Sequence, residues 1–185
     1  DVLDLVLLNV RVPEQRKGDY KAQIAANKLG AKRLQELFTK WTREQISEGC
    51  TGIIEAVTRR MRAGIADLPD GKYEFTDVLD DDGMGTTNIP ICVKIDIQSD
   101  EIWFNFEGSA SQVAGNMNNS FAGLQASVLF ALKVLIDPDG PTNHGMLGPV
   151  HIDAPVASVV NASFPAATAA RAQTCQRIID VILGA

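Results

Sequence analysis

The sequence predicts an α+β fold, in which an antiparallel β-meander carries an N-terminal helical hairpin and two further packed helices. Two observations lead to this prediction. Apolar residues recur at three- and four-residue steps through the first third of the chain, which indicates amphipathic helices. The period then changes to two between residues 72 and 107, which indicates strands with one apolar face. The 185 residues fit a single domain, and their 45% hydrophobic and 22% charged fractions are typical of a globular protein.

The helical part follows a short apolar segment, Val2–Val12, which we expect to be buried as a strand. Pro13 ends that segment, and Asp19 is the expected N-cap of the first helix. The second helix has the stronger apolar stripe, from Ile46 to Leu68. We expect the two stripes to face each other or a sheet, which gives the helical hairpin.

Three strands follow, with alternating apolar and polar residues over 73–79, 89–97 and 102–106. The first connection contains Asp80-Asp81-Asp82-Gly83, and the second is the tight turn Ser99-Asp100. Short connections join antiparallel neighbours, so the three strands are expected to form a meander.

The rest of the chain supplies the two further helices. Phe121–Ile136 is apolar on almost every side, so this helix is expected either to be central or to be covered by a partner. A loop rich in Gly and Pro follows it. Two short strands at 150–152 and 156–160 and a closing helix at 166–183 complete the prediction.

Charge and cysteine content exclude several classes of protein. The 17 basic and 23 acidic residues give a formal charge of −6, and no run of Lys or Arg exists, so neither nucleic acid nor an anionic membrane is an expected partner. No apolar run reaches transmembrane length, and no basic leader precedes the first apolar segment. Three scattered cysteines without a CxxC pair do not indicate a disulfide framework. We therefore expect a cytoplasmic protein.

Motifs for metal binding and for nucleophilic catalysis are missing. The two histidines and three cysteines lack the spacing of a zinc site. Asp80-Asp81-Asp82 lacks the spaced ligands of a calcium loop, so we expect a solvated hairpin tip there. A phosphate loop, a dinucleotide fingerprint and a nucleophile elbow are also missing. We expect no metal and no cofactor in these residues, and the catalytic residues are unknown.

The most informative segment is the loop at residues 107–120, where a strand runs into a cluster of Gly, Ser, Gln and Asn ahead of an apolar helix. Loops at strand ends commonly bind substrates, and amides together with free helix N–H groups suit polar or anionic ligands. The expected substrate-binding residues in this loop are Gln112, Gly115, Asn116 and Asn118. The alternative is an ordinary connector in which Asn118 or Asn119 caps the helix.

Three residues outside this loop complete the candidate set. Asn143 and His144 lie in the later Gly- and Pro-rich loop, and the alternative for His144 is an ordinary loop residue. Arg171, like Arg11, has apolar neighbours in the sequence. Arginine is rarely buried unpaired, so each of the two needs either a carboxylate partner or an anionic ligand.

A series of motifs, in this order along the chain, resembles the hydantoinase B/oxoprolinase family. Besides the loop at 107–120, the motifs are Asn9-Val10-Arg11-Val12-Pro13, Lys17-Gly18-Asp19-Tyr20-Lys21-Ala22-Gln23, Leu68-Pro69-Asp70-Gly71-Lys72-Tyr73, Asp80-Asp81-Asp82-Gly83, Asp137-Pro138 with Pro141-Thr142-Asn143, and Phe164-Pro165-Ala166-Ala167. They cover nearly the whole chain, and the ordered set is more specific than any one of its members.

The resemblance implies an ATP-dependent enzyme. Members of the family open cyclic amides such as hydantoins and 5-oxoproline, and related assemblies carboxylate ketones such as acetone. An A-type partner subunit of the sugar kinase-like superfamily binds ATP and phosphorylates the substrate, while the B-type subunit carries a divalent metal and completes the reaction. Family members are several hundred residues long, and their metal-binding Asp and His positions lie upstream of Asn9. The resemblance therefore implies that residues 1–185 are an internal fragment that is inactive alone.

Three functions remain open at this point. The chain is part of an ATP-dependent amidohydrolase of hydantoinase/5-oxoprolinase type, part of a ketone carboxylase subunit, or a non-catalytic assembly domain of such an enzyme. One departure from the family bears on any acid–base role. Asn105 stands where many relatives have Asp before the Phe-x-Gly segment.

Overall fold

The computed structural model describes residues 1–185 and confirms the α+β class. The chain divides into two compact units, residues 1–52 and residues 53–185. The helices are α1 (Val2–Leu7), α2 (Pro13–Phe38), α3 (Arg43–Ala66), α4 (Phe121–Ile136) and α5 (Arg171–Gly184), with a 3-10 helix at His144–Leu147; the strands are β1 (Gly71–Asp81), β2 (Thr87–Gln98), β3 (Glu101–Asn105) and β4 (Val150–Asp153). No α-helix is both long enough and apolar enough to span a membrane.

The first unit is helical from its start. The expected buried strand at Val2–Val12 is wrong, because Asp1 and Asp4 form a capping box and the segment opens with the exposed helix α1. The next helix, α2, begins at Pro13 and not at Asp19, since proline suits the first position of a helix. No residue of α2 is buried, so its apolar stripe is exposed.

The second unit is built on a four-stranded sheet with the order β1-β2-β3-β4. The first three strands are antiparallel neighbours, which confirms the predicted meander. The fourth strand pairs with β3 in parallel, as the long crossover through α4 allows. The predicted strand at 156–160 is wrong: Ala157 has a φ of +61°, which breaks an extended chain, and only Ser158 forms isolated bridges.

The core lies on one face of this sheet. Every second residue of β2 is buried there, as the alternation in the sequence predicts: Ile89, Ile91, Val93, Ile95 and Ile97. Three helices contribute buried side chains at three- and four-residue steps, including Val57, Met61 and Ile65 from α3, Leu124, Val128 and Leu132 from α4, and Ile178, Val181 and Ile182 from α5. The other face of the sheet carries mostly polar side chains, together with Trp103.

The closing helix starts later than the sequence predicts. Helix α5 begins at Arg171, because the segment before it forms turns and the Ala170 N–H donates to the Asn116 carbonyl oxygen at 2.9 Å. This hydrogen bond joins the start of α5 to the loop that precedes α4.

Candidate functional site

The Gly- and Asn-rich loop before α4 contacts the β1–β2 turn and the start of α5. The Gly115 N–H donates to Asp82 Oδ2 at 3.1 Å, and the Asn116 carbonyl accepts from Ala170. These segments surround a pocket of about 470 Å³, here called the Asn116 pocket. It is lined by Leu79, Asp80, Asp81, Asp82, Gly83, Asn116, Met117, Ala170, Gln173, Gln176, Arg177 and Asp180.

Asp82 connects the β1–β2 turn to the loop. Asp80 and Asp81 are exposed, as expected of a hairpin tip, but Asp82 is only 5% exposed. Its Oδ1 accepts from the N–H groups of Met84 at 2.8 Å and Thr86 at 2.9 Å, and its Oδ2 accepts from Gly115. Burial opposes ionisation, but these backbone hydrogen bonds outweigh it and lower the pKa of Asp82. The buried carboxylate is therefore ionised at neutral pH and holds the loop in place.

Asn118 lies beneath the pocket and does not line it. Its side chain is fully buried, and its Oδ1 accepts from the Val113 N–H at 2.8 Å. Its Nδ2 lies 2.9–3.0 Å from the carbonyl oxygens of Val113, Gly115 and Ala167. An amide carries only two N–H groups, so three oxygens share two hydrogens. Asn118 thus fastens the loop to itself and to the segment before α5.

The alternative interpretation, in which Asn118 or Asn119 caps the helix, is wrong about the cap. Ser120 is the N-cap of α4, and its hydroxyl accepts from the Gly123 N–H at 3.2 Å. Serine in this position satisfies one of the free N–H groups at a helix start.

Two other loop residues also have structural contacts. A Cβ on Gly115 would lie 2.0 Å from the Asp82 carbonyl oxygen, so glycine is required by close approach. Gln112 Oε1 accepts from the Ser163 N–H at 2.9 Å. Of the four predicted loop residues, Asn116 is the one whose side chain is exposed in the pocket, and it makes no side-chain hydrogen bond within the chain.

The pocket combines primary amides with carboxylates. Gln173 and Gln176 add their amides to that of Asn116, and Asp180 adds a carboxylate. Arg177 is paired with Asp77 and also lies 3.8 Å from Asp180. These groups can bind and orient a ligand through hydrogen bonds. Sequence reasoning misses the α5 residues, although their spacing of three and four places them on one helix face.

The remaining predicted residues lie elsewhere or at the rim. Asn143 accepts from the Gly145 N–H at 2.8 Å and its Nδ2 lies 3.5 Å from the Ile53 carbonyl oxygen, while His144 is exposed beside it. Neither lines the Asn116 pocket. Arg171 is exposed and forms no ion pair, although its apolar neighbours in the sequence suggested a buried arginine that needs a partner. It directly follows the pocket residue Ala170.

A larger groove of about 780 Å³ lies on the polar face of the sheet. Trp103 stacks on His151 there, with ring centroids 4.7 Å apart and planes at 12°. His151 Nε2 lies 2.9 Å from Glu101, and this hydrogen bond, followed by that from Arg62, lowers the pKa of Glu101. Asn105 also lines the groove, and its Oδ1 accepts from the Glu107 N–H, as an aspartate carboxylate would.

The hydantoinase B/oxoprolinase model matches residues 1–185. The chain belongs to the hydantoinase B/oxoprolinase family. The caprolactamase subunit beta of Pseudomonas jessenii is 33% identical over 168 residues, which are 90% of this chain and 29% of that protein. A crystal structure of ATP-dependent caprolactamase from Pseudomonas jessenii matches with a TM-score of 0.86 and 29% identity, over 98% of this chain and 31% of that one.

A second enzyme of known structure contains a similar fold. A nucleotide-free structure of acetone carboxylase matches with a TM-score of 0.79 over 91% of this chain and 24% of that one. Its 15% identity shows a common fold alone. The chain spans less than a third of each of these three matches.

The divalent metal implied for the hydantoinase B family does not fit the residues of this chain. No group of three or more His, Cys, Asp or Glu side chains is arranged to hold an ion. In the Asn116 pocket the Asp82 carboxylate already accepts three backbone hydrogen bonds, and Arg177 adds a positive charge. These residues therefore offer no ligand set for a metal.

Proposed function

We propose that this chain is an internal part of an ATP-dependent amidohydrolase of hydantoinase/5-oxoprolinase type, in which the Asn116 pocket holds a small cyclic amide. The observation that carries the proposal is the convergence of three side-chain amides, from Asn116, Gln173 and Gln176, on one pocket. Similarity to a caprolactamase subunit supports this substrate class, because a lactam is a cyclic amide.

The chemistry of a small-ring amide matches these side chains. The ring holds the amide in the cis form, so its N–H and C=O bonds point to the same side of the molecule. A side-chain amide presents a donor and an acceptor side by side, and the two groups can form a pair of hydrogen bonds. Each such bond contributes about 0.5–1.5 kcal/mol net.

The carboxylates of the pocket favour an amide over a ketone. Asp80, Asp81 and Asp180 line the pocket together with the three amides. Carboxylates accept hydrogen bonds, which a cyclic amide can donate and a simple ketone cannot. The ring-opening reaction is therefore a better match to the pocket than ketone carboxylation, which is supported by shared fold alone.

In this scheme the chain binds and orients the substrate, and an A-type subunit or domain supplies ATP-dependent activation. The name of the caprolactamase relative as a subunit supports such a partner. Arg171, exposed and unpaired beside the pocket residue Ala170, is proposed to meet an anionic group of the activated substrate. Asn143 and His144, which lie outside the pocket, remain a separate prediction.

The test is Asn116→Ala in the natural polypeptide, assayed with its A-type partner, ATP and a lactam or hydantoin. Loss of two hydrogen bonds at about 0.5–1.5 kcal/mol each corresponds to a roughly 5- to 150-fold lower kcat/KM. The melting temperature should stay within about 2 °C, because the side chain makes no hydrogen bond in the chain. The control is Gln35→Ala, which removes an exposed amide from α2. Equal kcat/KM values for the two variants would contradict the proposal.

A further inference from the structure

The walls of the Asn116 pocket carry a net negative charge. Four carboxylates and one guanidinium line it, which gives a net charge of −3. They belong to Asp80, Asp81, Asp82, Asp180 and Arg177. The backbone hydrogen bonds described above keep the buried Asp82 ionised, and the other three carboxylates are exposed. All four negative charges therefore border the space that a ligand fills.

The one arginine of the lining is already paired. Arg177 forms an ion pair with Asp77 and lies 3.8 Å from Asp180. An anionic ligand that approached Arg177 would compete with these two carboxylates. Arg171, which follows the pocket residue Ala170, adds one positive charge at the rim, so that the lining and Arg171 together still carry a net charge of −2.

We propose that the Asn116 pocket selects its substrate by charge, and that it accepts cyclic amides without a carboxylate substituent and rejects those that carry one. This inference rests on the function proposed above for the pocket. The amides of Asn116, Gln173 and Gln176 can bind a neutral ring by hydrogen bonds, and the carboxylates can accept from its N–H group. A carboxylate on the ring would gain no unpaired cation within the lining and would be repelled by the aspartates.

The size of the pocket sets the strength of this selection. A sphere of 470 Å³ has a radius of about 5 Å, so a ligand carboxylate lies at about 7 Å from the charges of the walls. At about 7 Å in water, repulsion between two unit charges weakens binding roughly threefold. A net charge of −2 to −3 therefore corresponds to about 7- to 20-fold weaker binding of the anion.

The experiment compares 5-oxoproline with its primary amide, which has the same ring and lacks the negative charge. Both compounds compete with the lactam or hydantoin that the natural polypeptide and its A-type partner hydrolyse, and their inhibition constants are measured in low-salt buffer. Asp80→Asn and Asp180→Asn each remove one charge from the pocket without changing the size of the side chain. The control is Asp153→Asn, because Asp153 is exposed, forms no ion pair, and lies on β4 at the opposite edge of the sheet from β1.

We expect the parent to bind the primary amide about 7- to 20-fold more tightly than 5-oxoproline, and each pocket variant to lower this ratio roughly threefold. Asp153→Asn should leave the ratio unchanged, and about 1 M NaCl, where the Debye length is about 3 Å, should bring it towards one. A ratio that stays at the parent value in both pocket variants would overturn the proposal. Absence of inhibition by the primary amide, or an equal change in the control, would also overturn it.

Failure of the charge selection can be distinguished from failure of the proposed function. If the pocket does not bind the substrate, Asn116→Ala leaves kcat/KM for the lactam or hydantoin unchanged, and both proposals fall. If the pocket binds the substrate without selecting by charge, Asn116→Ala lowers kcat/KM while the ratio of inhibition constants does not respond to Asp80→Asn or Asp180→Asn.

Discussion

Replacing Asn118 by Ala tests whether its buried amide holds the loop before α4. The side chain accepts one hydrogen bond and supplies two N–H groups to three carbonyl oxygens, which amounts to about three full hydrogen bonds. At about 0.5–1.5 kcal/mol each, their loss should lower the free energy of unfolding by roughly 1.5–4.5 kcal/mol. For a chain of this size each kcal/mol corresponds to about 2–4 °C in melting temperature.

The assay is urea unfolding followed by circular dichroism, with the parent and two variants measured together. Asn116→Ala is the matched control, because this neighbouring amide is exposed and makes no side-chain hydrogen bond. We expect it to lie within about 0.5 kcal/mol of the parent, as surface substitutions usually do. If Asn118→Ala were equally mild, the buried amide would not fasten the loop, and our account of how the pocket is positioned would be refuted.

Two further predictions concern the stability of the fold. Gly115→Ala should lower the free energy of unfolding by about 1–3 kcal/mol, because the new Cβ would clash with the Asp82 carbonyl oxygen. Gly18→Ala is the control: no atom lies near its Cβ in α2, and the change should raise the free energy of unfolding by about 0.5–1 kcal/mol. Equal melting temperatures for the two variants would contradict the close approach at Gly115. The folded-state pKa values of Asp82 and Asp137 are lowered, that of Asp137 chiefly by its hydrogen bond with Arg60. The stabilisation from these two carboxylates should therefore be present above the unfolded-state pKa of about 4, and should be lost as the pH falls through the lower folded-state pKa values. Urea unfolding at pH 7, 4 and 3 checks this, and Asp82→Asn should show a smaller loss between pH 4 and 3 than the parent.

Periodic parts of the structure could be predicted from the sequence, because buried positions recur with the same period as apolar residues. The row from Ile89 to Ile97 shows this for β2. The exposed stripe of α2 shows the limit, since periodicity indicates an apolar face without indicating what covers it. The parallel pairing of β4 depends on a partner strand far away in the chain, which no local pattern encodes.

The candidate site was only partly predictable, since side-chain networks have no period. The loop itself stands out by composition, and one of its four predicted residues, Asn116, lines a pocket. Asp80, Asp81 and Asp82 look alike in the sequence, yet only the last is buried among backbone N–H groups. Asn118 resembles a helix cap because it precedes an apolar run, but α4 starts two residues later than that interpretation requires.

The hydrogen bonds around the Asn116 pocket also bear on the order of folding. Gly115 reaches Asp82 across 33 residues, and Asn118 reaches Ala167 across 49. Contacts between residues so distant in sequence require the closure of long loops, whereas the β1–β2 hairpin is local. The hairpin is therefore expected to form before the loop closes on α5. A folding chain with a nearly complete sheet is therefore expected still to lack the pocket. For this reason, substitutions in the loop should accelerate unfolding more than they slow folding.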